Sequence, residues 1–148
     1  MTKDVLISIK GLQFESGSDE AVEMIAPGEY YFRNGKHYAR YEEVMEEAEG
    51  DHDISMNTVK ISRDQVEIMK KGGSNVHMVF AVDQKNVTFY TTPFGQLQIG
   101  IFTNYINVEE KEDVIEVKLK YDLEINQSFV SNCEITMYIM AKDSRINL

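Results

Sequence analysis

Residues Val114–Ile125 have the sequence VIEVKLKYDLEI, in which apolar and charged side chains alternate almost without interruption. The apolar set takes every second position: Ile115, Val117, Leu119, Tyr121, Leu123 and Ile125. The charged set lies between them: Glu116, Lys118, Lys120, Asp122 and Glu124. Because successive side chains of a strand point to opposite faces of a sheet, this segment is predicted to be a long strand with one buried and one solvated face.

Similar strand patterns precede and follow this segment, with short turns between them. Arg33–Lys36 contains Asn34-Gly35, which supplies the positive φ angles that tight primed hairpin turns require. Downstream, Leu97, Ile99 and Ile101 share one face, whereas Ile106 and Val108 have the opposite parity. This change predicts a β-bulge near Phe102–Tyr105, which would return all five side chains to a common face.

Three segments are less regular. Gly11 predicts a bulge or sharp bend after the first strand, and Pro27-Gly28 predicts an irregular or edge strand over Val22–Phe32. Glu42–Asp53 is crowded with acidic residues, and its apolar spacing fits a short helix ended by Gly50. A plain acidic loop is the alternative for that segment.

The complete pattern predicts an all-β fold in a single domain over residues 1–148. About eight to ten strands joined by short turns indicate an antiparallel up-and-down meander. Closing the sheet into a barrel would remove its exposed edges, so a barrel is favoured over a two-sheet sandwich. A transmembrane barrel is not expected, because the sequence shows neither an export signal nor aromatic girdles at the strand ends.

Composition narrows the classes of partner. The formal net charge is −10, which argues against general binding to nucleic acid or to an anionic membrane. Cys133 is the single cysteine, so an internal disulfide is impossible, and no signal peptide follows Met1. These features together predict a cytoplasmic location. The sequence carries no signature of a particular oligomeric state.

Motifs of enzyme chemistry are absent from the sequence. His37, His52 and His77 are too scattered for the ligand spacing of a metal site, so neither a metal nor another cofactor is expected. No nucleophile elbow, phosphate-binding loop or dinucleotide fingerprint is present, and a non-enzymatic protein is therefore predicted. Cys133 shares the parity of Ile135 and is interpreted as a small buried hydrophobe.

Three segments together carry a family resemblance: Tyr30–Glu43, Tyr90–Gly95 with its Thr-Pro-Phe-Gly turn, and Tyr121-Asp122-Leu123. With these segments the chain resembles, essentially end to end, the small bacterial YwiB-like proteins, a family of unknown function. The resemblance implies a calycin-type, lipocalin-like β-barrel with an interior cavity. It implies no catalytic or binding residues.

Barrels of this width often hold one small ligand, fixed by a few polar groups in an apolar interior. We therefore hypothesise a small apolar or amphipathic ligand inside the barrel. Phe94 lies on the tight turn and could gate the cavity or simply cap the barrel. The candidate ligand-binding residues are Tyr38, Arg40, His77, Tyr90, Phe94, Gln98, Tyr105 and Tyr121. The alternative hypothesis is a protein-interaction module without a small ligand, which would use Glu42–Asp53 or the outer sheet face.

Overall fold

The protein forms ten β-strands, as seen in a computed structural model that describes residues 3–11, 23–46, 52–72, 75–92 and 95–142. The strands, in chain order, are β1 Asp4–Lys10, β2 Glu23–Arg33, β3 Lys36–Glu46, β4 His52–Ile61, β5 Gln65–Gly72, β6 Val76–Ala81, β7 Lys85–Thr92, β8 Gly95–Glu110, β9 Val114–Ile125 and β10 Ser128–Ala141. Within these described ranges no helix is long and apolar enough to cross a membrane.

All ten strands belong to one antiparallel sheet in the order β6-β5-β4-β3-β2-β1-β10-β9-β8-β7. Strands that are neighbours in the chain are neighbours in the sheet, and β1 pairs with β10. β6 and β7 are the two ends of this order. They are brought together beside their connecting turn, where Val82 forms an isolated bridge with Thr103 and the Asp83 amide donates to the Thr103 carbonyl at 2.8 Å. The predicted up-and-down barrel is therefore confirmed and is nearly closed.

The antiparallel order places alternate turns at the same end of the barrel. One end, called the turn end below, carries four short connections, at 34–35, 62–64, 82–84 and 111–113. The other end is called the opposite end. It carries the β9–β10 turn, where Asn126 and Gln127 both have positive φ. Asn34 and Gly35 also have positive φ, of 53° and 75°, which confirms the predicted hairpin.

The inward side chains fill the middle of the barrel. Alternate residues of β9, including Val117, Leu119 and Tyr121, are buried, as the alternation predicted. Phe80 from β6 meets Tyr121 from β9 edge to face, with 5.1 Å between the ring centroids. These strands are not neighbours in the sheet, so this contact packs the barrel across its interior.

The predicted bulge in β8 is confirmed. The register between β8 and β9 shifts between Thr103 and Tyr105, so that Asn104 is the extra residue. After the shift, Ile106 pairs with Leu119 on the inner face. Gly11 has a φ of 95° directly after β1 ends, in agreement with the predicted bend.

Two local predictions need correction. Of the irregular or edge strand predicted over Val22–Phe32, the edge alternative is wrong, because β1 pairs with one side of β2 and β3 with the other. Pairing with β3 begins only at Gly28, so Pro27, which has no N–H to donate, lies just outside that ladder. The predicted helix over Glu42–Asp53 is replaced by the end of β3 and the start of β4, and residues 47–51 lie outside the described ranges.

Candidate functional site: a cavity at the turn end

A cavity of about 460 Å³ lies at the turn end of the barrel. This cavity, called the mouth cavity here, is bounded by residues of β2, the β2–β3 turn, β3, the β4–β5 turn and β8. The lining side chains that carry the chemistry are Phe32, His37, Ser62, Arg63, Val108 and Glu110. Aromatic, aliphatic, cationic, anionic and hydroxyl groups thus share one concave surface, which is the composition of a small-molecule site.

Local sequence features place these groups at the cavity. The Asn34-Gly35 turn is so tight that Phe32 and His37 pair directly across the hairpin, with ring centroids 5.0 Å apart. The bulge in β8 reverses the facing of all later residues, which turns Val108 and Glu110 inward. Without the extra residue, Glu110 would point to the outer face.

His37 is the centre of a hydrogen-bonded row of three side chains. Its Nδ1 lies 2.7 Å from the Tyr30 hydroxyl, and its Nε2 contacts a carboxylate oxygen of Glu110. Since β3 and β8 are not neighbours in the sheet, the contact between His37 and Glu110 spans the barrel opening. A carboxylate only accepts, so Nε2 carries the proton and Nδ1 of the neutral ring accepts the Tyr30 hydroxyl.

The electrostatics of this row favour a neutral phenol. Burial raises the pKa of Tyr30, and the nearby negative charge of Glu110 raises it further. The Tyr30 hydroxyl therefore remains a hydrogen-bond donor throughout the physiological range. His37 is nearly buried, whereas the Glu110 side chain is 59% exposed and so presents its carboxylate to the cavity.

Arg63 contributes the cation of the mouth cavity. It lies in the turn between β4 and β5, which is stabilised by two hydrogen bonds from Ser62 to the Gln65 carbonyl, one from the backbone amide at 2.9 Å and one from the hydroxyl at 3.2 Å. Among the residues that the structure describes, no carboxylate lies within ion-pair distance of Arg63. Phe32, with 59% of its surface exposed, supplies an apolar wall of the same cavity.

The opposite end of the barrel also contains inward polar side chains, but they satisfy one another. Lys70 donates to Glu43 at 3.1 Å, and the Asn57 amide donates to the same carboxylate at 3.4 Å. The Ser55 hydroxyl donates to the Asn57 oxygen at 2.7 Å, and both residues are fully buried. Burial raises the pKa of Tyr41 to about 12, against the opposing effect of its hydrogen bond with Asn57.

Two of the eight candidates from sequence lie on the inner face. Tyr121 is buried, and its hydroxyl finds the partner that burial demands in Cys133. Burial strongly raises the pKa of Tyr121. Tyr90 is half-buried and packs against the core. Cys133, interpreted from the sequence as a small buried hydrophobe, packs against the core but is only partly buried, and its sulfur lies 3.3 Å from the Ser131 hydroxyl.

Five other candidates point to the outer face, where they do not converge with Tyr90 and Tyr121. Tyr38 stacks on Tyr31, with ring centroids 4.7 Å apart. His77 is exposed and lies 3.3 Å from Glu67. The remaining outward candidates are Arg40, Gln98 and Tyr105. Phe94, the eighth candidate, lies outside the described residues, as does Pro93.

The sequence-based search missed the residues that the barrel brings together at the turn end. A signal for them exists. His37 shares the parity of buried Ala39, and Glu110 shares the parity of Ile106 once the predicted bulge is counted. Both were therefore identifiable as inward polar side chains near strand ends. Their meeting across the barrel was not identifiable, because it depends on which strands face each other.

The structure offers no convergent metal site in the part of the chain that it describes. Within those ranges, no three His, Cys, Asp or Glu side chains lie close enough to hold an ion. The mouth cavity presents one imidazole and one carboxylate that contact each other, so its chemistry is that of charge and hydrogen bonding.

Comparison with known proteins places the chain in a family. Over 136 residues it is 24% identical to the uncharacterized beta-barrel protein YwiB of Bacillus subtilis (strain 168), covering 89% of this chain and 91% of that protein. The crystal structure of the ywiB protein from Bacillus subtilis matches with a TM-score of 0.72 at 22% identity, covering 94% of this chain and 92% of that one. Neither name states an activity. Residues 7–137 match the family described as a domain of unknown function (DUF1934), and the chain therefore belongs to this family of YwiB-like β-barrel proteins.

Proposed function

We propose that the protein binds a small amphipathic molecule in the mouth cavity. The observation that carries the proposal is the juxtaposition of an exposed phenyl ring, Phe32, and the guanidinium of Arg63 in one cavity of about 460 Å³. Ligand sites are commonly cavities of about 300–1,000 Å³ in which apolar walls provide affinity and a few polar groups fix orientation.

The packing of the barrel supports the mouth rather than the interior as the place for a ligand. Phe80, Tyr121 and the aliphatic side chains around them occupy the middle of the barrel. A ligand there would have to displace close-packed side chains, whereas the mouth cavity needs no such rearrangement. We therefore place the proposed ligand at the turn end and not in the barrel interior, which the sequence had favoured.

The test uses two probes that share one aromatic body, 1-naphthoate and 1-naphthamide, and follows backbone amide resonances by NMR. Binding of either probe is expected to shift the amides of Gly35, Ser62, Arg63 and Val108, which surround the cavity. The amide of Asn126, at the opposite end of the barrel, is expected to stay unchanged.

A matched pair of variants distinguishes binding in the mouth cavity from nonspecific binding to exposed aromatic side chains. Phe32→Ala is expected to weaken binding about fivefold, the equivalent of about 1 kcal/mol of lost apolar burial. Phe129→Ala is the control, because Phe129 is equally exposed, at 61%, but lies beside the opposite end. Equal losses in the two variants, or no shift at the mouth with either probe, would show the proposal to be wrong.

A second candidate function, a protein contact through the outer sheet face, is favoured by a group of exposed apolar side chains on β7, β8 and β10. Val87, Phe89, Phe102 and Phe129 have exposed fractions between 37% and 61%. The strand registers place Val87 and Phe129 in one lateral row across the sheet, separated by Gly100 and Glu124. Exposed apolar clusters of this kind often mark interaction surfaces.

The acidic net charge of the chain suits a partner whose surface is apolar and basic. Pull-down with Phe89→Ser is expected to lose partners that the wild-type protein retains. Ile25→Ser is the matched control, since Ile25 is 57% exposed on β2, on another part of the sheet. An unchanged set of partners in Phe89→Ser would rule out this surface.

A further inference from the structure

The charges around the mouth cavity constrain the head group of its ligand. This inference rests on the proposed function and concerns the same site. Three ionisable side chains line the cavity: His37 from β3, Arg63 from the β4–β5 turn and Glu110 from β8. With a neutral imidazole, the positive charge of Arg63 and the negative charge of Glu110 cancel. With an imidazolium, the three groups together carry one positive charge.

The environment of His37 is defined on every side that packs against it. β2 contributes the Tyr30 hydroxyl at Nδ1 and the Phe32 ring, and β8 contributes the Glu110 carboxylate at Nε2. β4 contributes the apolar side chain of Ile61, which is opposite His37 in the register. Among the described residues that line the cavity, Arg63 is the one permanently charged cation.

Protonation of His37 requires a change in one hydrogen bond. In the neutral ring, Nε2–H donates to Glu110 and Nδ1 accepts from Tyr30. A second proton on Nδ1 would make this nitrogen a donor to the Tyr30 oxygen. The phenol can accept this bond, so the imidazolium keeps partners at both nitrogens. The row is therefore built to hold either protonation state.

An anion approaching the cavity needs local positive charge, because the whole chain carries a net charge of −10. Arg63 cannot provide a net attraction alone, since Glu110 offsets it within the same cavity. We propose that the ligand of the mouth cavity carries an anionic oxygen group, such as a carboxylate, and that His37 takes up a proton when it binds. Phe32 and Val108 would contact the apolar body of the ligand, and Arg63 and His37 its head group.

The sign of the pH dependence follows from linkage. A ligand that binds the imidazolium form more tightly binds with proton uptake, so its affinity rises as pH falls. Histidine is the side chain whose charge changes between about pH 5 and 8, and a carboxylate probe remains ionised over that range. If binding takes up one proton, each pH unit weakens it by up to about tenfold.

The experiment is isothermal titration calorimetry of 1-naphthoate and 1-naphthamide from about pH 5.5 to about pH 8.5, the range that brackets histidine titration. Each titration is repeated in buffers of different ionisation enthalpy, which measures the protons taken up. For 1-naphthoate we expect uptake approaching about one proton and an affinity that falls with pH. The neutral amide is expected to bind more weakly than the anion at low pH, with no proton uptake and no pH dependence.

Two variants locate the proton. His37→Gln is expected to abolish proton uptake. Glu110→Gln keeps an acceptor for Nε2–H but removes the negative charge, so 1-naphthoate should bind more tightly at high pH and depend less on pH. Arg63→Gln should weaken the binding of 1-naphthoate far more than that of 1-naphthamide. Arg40→Gln, on the outer face, should leave the affinity for both probes unchanged.

The outcomes distinguish the two proposals. If both probes bind at the mouth with equal affinity and no proton is taken up, the anion proposal is overturned and the proposed function stands. If neither probe binds at the mouth, the proposed function itself fails. Proton uptake that persists in His37→Gln would assign the proton to another group and would also overturn the inference. Should that variant fail to fold, the imidazole resonances of His37 are followed by NMR in the wild-type protein. They should show protonation of the ring when 1-naphthoate is added, and an unchanged protonation state would overturn the inference.

Discussion

Replacing Leu119 by alanine is expected to destabilise the protein by about 2–5 kcal/mol. Leu119 is fully buried on β9, between its cross-strand neighbours Ile106 on β8 and Ile135 on β10. The substitution removes three carbon atoms, worth about 2.4 kcal/mol at about 0.8 kcal/mol each. The remaining loss, up to the top of the range, is the cost of the cavity that the deleted atoms leave, because close-packed neighbours relax only partly to fill it.

Urea denaturation followed by circular dichroism measures this change, since the chain has no tryptophan to serve as a fluorescence reporter. With a slope of about 2 kcal/mol per molar urea, the midpoint should fall by about 1–2.5 M. Lys120→Ala is the control, because Lys120 is the next residue on the strand and points outward over the Tyr105 ring. That variant should lose less than about 1 kcal/mol. Equal losses in the two variants would refute the assignment of inner and outer faces.

Two further predictions concern a close backbone approach and a buried phenol. In Gly28→Ala the new Cβ would clash with the backbone carbonyl oxygen of Arg40 and lie 2.6 Å from Cδ1 of Ile7, so a loss of about 1–3 kcal/mol is expected in thermal or urea unfolding. In Gly35→Ala the new Cβ has no neighbour within 4 Å, so this variant should lose only about 1 kcal/mol from the strain of a φ of 75°. If Gly28→Ala proved at least as stable as Gly35→Ala, the close approach at Gly28 would be refuted. Burial raises the pKa of Tyr41 to about 12, so the folded state holds its phenolic proton more tightly than the unfolded chain does. The neutral phenol of Tyr41 therefore contributes up to about 3 kcal/mol to the free energy of unfolding below about pH 10, and this contribution is lost between about pH 10 and 12. Tyr41→Phe should reduce this alkaline loss of stability when unfolding is measured across that range.

Strand positions and facing were predictable because they depend on local rules. The alternation in Val114–Ile125 requires only that one face be buried, and Asn34-Gly35 requires only a positive φ. The bulge in β8 was also predictable from the sequence, because Ile101 and Ile106 cannot both face inward without an extra residue. In each case the information lies within about ten residues of the chain.

The failures arise where inward side chains are polar. Glu43, Asn57 and Lys70 face the interior and satisfy one another across three neighbouring strands. In the sequence, such residues look like an outer face, and the acidic run after Tyr41 therefore resembled a helix or loop. Inward polar residues are costly unless partners from other strands reach them, and these partners are a property of the whole barrel.

The same reasoning distinguishes the two ends of the barrel. A buried polar group is costly unless it finds a hydrogen-bond partner, so each end must account for the polar side chains that point into it. At the opposite end, Lys70, Glu43 and Asn57 meet this requirement within the protein. At the turn end, His37 and Glu110 also pair, but Arg63 is left beside them with no carboxylate partner among the described residues. An anionic ligand at Arg63 would therefore add an interaction at the turn end that the described part of the chain does not already make.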